Sequence, residues 1–303
     1  MNHYAEVMKI TPRTLSQPTA TQPEVRNHTH FGFTLTELLV VLASLAVLAL
    51  VVLPAVAGTQ PRSKGFQCLN NMRQLAQAWT LYASENNEKL VLNSDPHVSS
   101  SGYLFSGVPS WATGLLDWTA GSQNTNTAYL TSDRYSSLAN YLGHSPGVFA
   151  CPAENDVSPM QRMLGWEHRA RSVAMNAAVG DGSKFEQPGN PFGWSQWYVA
   201  KKATDFEYPS PGQTWVFSDE HPDSIDDILM YVAPYPTTFI EEFPGNEHDG
   251  ADGITFADGH ADMHKWSGSV LNRPVRYTLL QQVPCLLTDP DMLWLEQHTP
   301  RSP

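Results

Sequence analysis

Residues 33–57 read FTLTELLVVLASLAVLALVVLPAVA. From Leu38 to Leu53 there are 16 residues with no charge and one polar side chain, Ser44. Phe33 to Leu53 is 21 residues, enough at 1.5 Å per residue to cross a hydrocarbon core of ~30 Å. The stretch is apolar on every face, so it does not read as an amphipathic helix on a soluble core. It predicts a membrane-spanning helix, which Pro54 is placed to bend or loosen. The charge at its edge, Glu37, is costly in lipid and asks for a partner. Ala55-Val56-Ala57 offers a rival reading, cleavage by ordinary signal peptidase and release of a soluble domain. The long polar region ahead of the span and the position of Glu37 argue against it.

Upstream, residues 1–32 hold Lys9, Arg13 and Arg26 against Glu6 and Glu24, a mild positive-inside bias. Downstream, residues 62–86 (RSKGFQCLNNMRQLAQAWTLYASEN) place Phe66, Leu69, Met72, Leu75, Trp79 and Tyr82 at three-to-four spacing, an amphipathic helix. With the span, this predicts one long N-terminal helix: 33–57 in the membrane, 58–90 laid on a C-terminal globular domain.

The chain has 303 residues and a net charge of −12. It has no basic footprint, which excludes a nucleic-acid binder. Its 20 glycines and 23 prolines suit a loop-rich β domain over 91–296, followed by a tail without order at 297–303. The tryptophans of the Ser/Gly/Asn/Thr-rich stretch 93–128, Trp111 and Trp118, read as a small satellite core. Residues 133–142 predict a short helix; 171–180, 195–200 and 214–218 predict strands. Asp219-Glu220-His221-Pro222-Asp223-Ser224-Ile225-Asp226-Asp227 packs five carboxylates and one imidazole into nine residues. It reads either as a solvated acidic loop or as an oxygen-rich cation site that includes Asp219, Glu220 and Asp223.

Residues 248–266 read HDGADGITFADGHADMHKW. Asp258-Gly259 between alternating runs predicts a hairpin with a two-residue loop. That loop would pair Ala257 with His260, Phe256 with Ala261 and Ile254 with Met263. Ile254, Phe256, Ala261 and Met263 would then face the core, leaving His260, Asp262 and His264 on a polar face. These three could converge on a metal, or simply occupy a solvent face; the divalent cation considered for the acidic loop and this hairpin is Ca or Zn. There is no nucleophile–base pair and no HExxH, so nothing predicts an enzyme. Three cysteines, Cys68, Cys151 and Cys285, form no CxxC pair.

Several of these segments carry a resemblance. Gly32-Phe33-Thr34-Leu35-Thr36-Glu37-Leu38-Leu39-Val40 is similar to the processing signal of type IV prepilins and type II secretion pseudopilins. Cys68-Leu69-Asn70-Asn71-Met72-Arg73-Gln74-Leu75, the Phe149-Ala150-Cys151-Pro152 step, and His248 followed nine residues later by Asp258-Gly259 resemble the large H-X9-DG prepilin-like group of planctomycete and verrucomicrobial lineages. The resemblance implies a pilin-like α+β fold: a long N-terminal helix, its first half transmembrane, packed on a loop-rich antiparallel sheet. It implies a leader (1–32) removed by prepilin peptidase between Gly32 and Phe33, methylation of Phe33, and pairing of Glu37 with a neighbouring subunit's N-terminal amine. It also implies a Cys68–Cys151 disulfide, with Cys285 spare. Its partners would be the peptidase, other pilin-like subunits and inner-membrane lipid, with the domain outside the cytoplasm. The leader departs from the family in carrying histidines, His28 and His30, where Lys or Arg is usual. On this reading the protein is a pseudopilin- or minor-pilin-like structural subunit. The alternative is a displayed domain that binds a cation or glycan and borrows the signal for export.

Overall fold

The structure, a computed structural model, describes residues 34–57, 60–94, 109–180, 198–233 and 236–301. Gly32, Phe33 and the leader lie outside the described residues. The chain divides into two compact units, Met1–Leu53 and Pro54–Pro303.

The described residues hold five α-helices: α1 (Leu35–Ala57), α2 (Gln60–Glu85), α3 (Ala128–Thr131), α4 (Pro159–Met163) and α5 (Pro290–Gln297). The stretch expected as one long helix holds α1 and α2, and residues 58–59 between them lie outside the described residues. Among the described residues no helix is long and apolar enough to cross a membrane, which corrects the expected transmembrane first half. Glu37 stands in the first turn of α1.

The expected antiparallel sheet is corrected as well, to a mixed one. Five strands lie in the order β3-β1-β2-β5-β6, with β1 at Val173–Asn176, β2 at Trp215–Asp219, β3 at Leu229–Met230, β5 at Ala251–Phe256 and β6 at Ala261–Lys265. β1 runs antiparallel to β2 but parallel to β3. A second, two-stranded sheet joins β4 (Phe239–Ile240) to β7 (Val283–Pro284).

β1, β2 and β5 are buried at every position, because both faces of the large sheet are covered. On one face Val173, Met175 and Phe217 pack with Met72, Leu75, Trp79 and Ala83 of α2. On the other, Ala174, Trp215, Ile254 and Phe256 pack with Trp266 and with Met292 and Leu295 of α5. This is why Trp215-Val216-Phe217-Ser218 shows no polar alternation.

The β5–β6 hairpin forms, but one residue out of the expected register. Thr255 pairs with Ala261, Ile254 with Asp262 and Asp252 with His264, and the Phe256 N–H donates to the His260 carbonyl at 2.9 Å. The loop is three residues long, Ala257-Asp258-Gly259. Asp258 Oδ1 accepts the His260 N–H at 3.1 Å, and Gly259 sits at φ +91°, the left-handed residue that closes such a loop. A one-residue slip exchanges the faces. Ile254, Phe256, His260, Asp262 and His264 share one face; Gly253, Thr255, Ala261 and Met263 share the other.

Residues 133–142 form turns and a single 3-10 turn at Asn140–Leu142 rather than a helix. The terminal stretch expected to lack order is held as far as Arg301. Thr299 is buried and its hydroxyl accepts the Trp215 Nε1–H at 3.1 Å, and the Arg301 N–H donates to the Tyr208 carbonyl.

Candidate functional site

Helix α2 buries one face, along Cys68, Met72, Leu75, Ala76, Trp79 and Ala83. Cys68 is the sulfur-bearing end of that stripe. Its neighbour Asn71 reaches off the helix: Nδ2 donates to the carbonyls of Gly147 (2.9 Å) and Ala150 (3.2 Å). Asn71 thus clamps the 3-10 turn Pro146–Phe149 and the Ala150-Cys151 backbone against α2. Cys151, delivered by that clamp, donates its N–H to Ser172 Oγ at 2.7 Å.

Two more residues arrive from the sheet. Asp219 ends β2, 1% exposed. Its Oδ2 accepts the Cys68 thiol at 2.9 Å, and its Oδ1 accepts the Ser172 hydroxyl at 2.5 Å. His248 precedes β5 in a turn made by Asp249 (φ +62°) and Gly250 (φ +77°), and its Nε2 lies 3.2 Å from Cys151 Sγ. The ligand atoms of Cys68, Cys151 and His248 all lie within 4.8 Å of one another. Among the described residues this is the one group of three or more His, Cys, Asp or Glu side chains that could hold a metal.

The packing crowds any side chain at this point of β5 and brings α2 into contact with His248. A Cβ on Gly253 would stand 3.0 Å from Cys68 Sγ and 3.1 Å from Met72 Cγ. A Cβ on Gly65 would lie 3.5 Å from His248 Nδ1. A cavity of about 240 Å³, lined by Gln67, Asn71, Cys151, Glu154, Arg169 and Ser172 among others, gives access from outside.

The electrostatics follow from burial. The hydrogen bond to Cys151, together with burial, raises the Cys68 thiol far above its usual range. Cys151 is also raised: the Cys68 hydrogen bond pulls it down, but burial and the Asp219 charge outweigh that. Burial lowers His248, with help from Lys64. Burial raises Asp219 against the hydrogen bonds it accepts. Glu247 is pushed up to about 8 by burial and by the charges of Glu154 and Asp219. Two adjacent thiols, an imidazole and a carboxylate can bind a soft cation, or the sulfurs can join as a disulfide. Both cysteines are free in this structure, as is Cys285.

The other residues singled out in the sequence lie elsewhere. Glu220 is buried, with Oε1 accepting from Ser224 at 2.7 Å. Asp223 is buried and accepts the N–H groups of Arg276 and Thr278 at 2.6 and 3.1 Å, a structural anchor. On the hairpin, His260 is exposed, bonded to Asp258 at 2.5 Å and stacked on Phe256. Asp262 is exposed and accepts the Met263 N–H, and His264 stacks on Trp294 of α5 at 4.0 Å. They do not join Asp219 in one ligand set. The nine residues between His248 and Asp258 are the Asp249-Gly250 turn, the six of β5 and Ala257: the strand carries the chain from the thiol cluster to a turn where a Cβ on Gly259 would meet Thr80 of α2 at 3.5 Å. Sequence reading missed the meeting of His248 and Asp219 with the cysteines, and the role of Asn71. The available signal was that the Cys68 segment, the Cys151 step and His248 all belonged to the motifs already singled out.

No family, no curated protein and no solved structure matches this chain.

Proposed function

We propose that the chain is a prepilin-type precursor, cut between Gly32 and Phe33 by a prepilin peptidase, that serves as a pseudopilin- or minor-pilin-like structural subunit. The observation that supports this reading is the start of α1. Thr34 N–H and Oγ1 both donate to Glu37 Oε2, at 2.8 and 2.7 Å, and Glu37 N–H donates to Thr34 Oγ1 at 3.3 Å. This reciprocal cap holds the one charge of the apolar helix at its first turn, three residues from Thr34. The cut would put a new amine on Phe33, directly before that cap. An amine from a neighbouring subunit then has a preplaced carboxylate to meet, which offsets the cost of leaving Glu37 unpaired in an apolar assembly. The role is structural: it needs no catalytic constellation, and the Gly32–Phe33 motif remains its most specific sequence support.

The test is mass spectrometry of the mature chain co-expressed with a prepilin peptidase. The expected N-terminus is a methylated Phe33. An intact leader, or a start at Gly58 after Ala55-Val56-Ala57, overturns the reading. Glu37→Gln should leave cleavage intact and abolish incorporation into filaments or pseudopili; incorporation at the wild-type level would count against a role in assembly.

A further inference from the structure

We propose that Cys68, Cys151, His248 and Asp219 form a tetrahedral site for a zinc-class divalent cation at the seam between α2 and the sheet. The donors are two sulfurs, one imidazole nitrogen and one carboxylate oxygen. Zinc takes this set in four-coordinate sites, whereas calcium and magnesium require six or more ligands, essentially all oxygen. The calcium considered from the acidic stretch is thereby set aside at this location, and of the side chains first considered as metal ligands only Asp219 takes part.

The dimensions fit. Metal–sulfur bonds of about 2.3 Å and metal–nitrogen bonds of about 2.0 Å give tetrahedral edges of roughly 3.3–3.8 Å. Cys151 Sγ and His248 Nε2 are 3.2 Å apart, and the Cys68, Cys151 and His248 donors span no more than 4.8 Å. Cys68 Sγ and Asp219 Oδ2, at 2.9 Å, need to part by about half an ångström, a side-chain adjustment. The support around the ligands is already built. The Ser172 hydroxyl accepts from the Cys151 backbone and donates to Asp219 Oδ1, so one serine orients two ligands. Asn71 fixes the Cys151 turn to the helix that carries Cys68.

A second observation points to a cation. Asp219 is 1% exposed, and its side-chain hydrogen-bonding partners are the Cys68 and Cys151 thiols and the Ser172 hydroxyl. It has no ion pair among the described residues. A buried carboxylate without a counter-charge is costly, and a bound divalent cation supplies that charge. A disulfide between the two cysteines would remove the thiol donors of Asp219 and leave it the Ser172 hydroxyl. The four ligands come from four distant chain segments, so a bound cation would cross-link α2, the Cys151 turn, β2 and the start of β5. The cavity beside Cys151 is the entry path.

The experiment uses the full-length chain, purified and held in a non-thiol reductant, titrated with Co²⁺ and then competed with Zn²⁺. The expected result is one cobalt per chain with intense tetrahedral d–d bands and thiolate-to-cobalt charge transfer, both lost on adding zinc. Cys68→Ser and Cys151→Ser should each remove much of the charge-transfer intensity. His248→Ala and Asp219→Asn should weaken binding by about tenfold or more, while Cys285→Ser changes nothing. The wild-type spectrum decides the matter even if a ligand variant fails to fold. The proposal is overturned by no stoichiometric cobalt on the reduced chain, by a weak octahedral spectrum without thiolate bands, or by binding that depends on Cys285. A Cys68–Cys151 disulfide whose reduction yields no metal affinity likewise overturns it, and identifies the pair as a covalent staple instead. None of these outcomes touches cleavage at Gly32, which is read separately from the N-terminal mass.

Discussion

At Gly253 the absence of a side chain is what lets helix and strand meet. Gly ordinarily weakens a strand, since it adds backbone entropy loss and packs nothing. Here the Cys68 sulfur and Met72 Cγ occupy the space a Cβ would need, at 3.0 and 3.1 Å. Gly253→Ala should therefore cost about 1–3 kcal/mol through overpacking, read as a lower urea midpoint at unchanged slope. It should also displace Cys68, so the cobalt charge-transfer band should shift or fade with it. An unchanged midpoint would mean that α2 yields at this point. None of this was legible in the sequence. The contact that explains Gly253 comes from residues 181 to 185 positions earlier in the chain. The thiol cluster was half legible for the same reason: residue types and motifs singled out Cys68, Cys151 and His248, but only the sheet order brings Asp219 to them.

At the scale of elements, α2 was the easiest to read and carries much of the docking. Its three-to-four spacing named Met72, Leu75 and Trp79, and these side chains are 0–2% exposed. Trp79 packs at a tilt against Phe206, ring centroids 6.1 Å apart, within the larger core. Trp79→Ala should destabilise the domain by about 3–5 kcal/mol, whereas Leu81→Ala, on the exposed side, should stay within about 0.5 kcal/mol. Chemical denaturation of the pair checks the orientation of the helix; comparable losses would mean that α2 is buried on both sides. The β5–β6 hairpin was harder, because Asp-Gly serves two- and three-residue loops equally well. Here the Asp258 carboxylate accepts the His260 N–H within a three-residue loop, and the extra loop residue moves every β6 side chain to the face opposite the one expected, while Ile254 and Phe256 stay on the core. The mixed sheet was illegible for a different reason: β3 is two residues long, too short for any periodicity to appear.

At the scale of the molecule, an acidic chain has buried part of its acid. Around the fully buried guanidinium of Arg171, which donates to the carbonyls of Val173 and Asp227 at 2.6 and 2.7 Å, stand Glu220, Asp226 and Asp227, and the same three carboxyls act on Glu242. Burial, reinforced by Glu220, Asp227 and Asp226, holds the Glu242 carboxyl well above its ordinary value of 4.5. Burial likewise raises Asp226. A carboxyl raised in the fold favours the native state while both states are protonated, below about pH 4.5. As pH rises past that value the unfolded chain releases its proton first, so the stabilisation declines until the folded carboxyl also ionises. Thermal stability should therefore fall as pH rises from about 5 to 8. The net charge of −12 pushes the same way through self-repulsion, so the trend alone does not locate its cause. Two variants separate the contributions. Glu242→Gln and Glu167→Gln each remove one ionisable carboxyl, but Glu242 is buried and Glu167 is exposed. In Glu242→Gln the new side-chain amide keeps a carbonyl that can accept the Tyr231 N–H, which Glu242 Oε2 accepts at 2.6 Å. If burial dominates, Glu242→Gln raises the melting temperature at pH 8 more than Glu167→Gln does, and that gain disappears near pH 4. Equal gains at pH 8 would assign the whole trend to surface repulsion and leave the acids around Arg171 without a part in it.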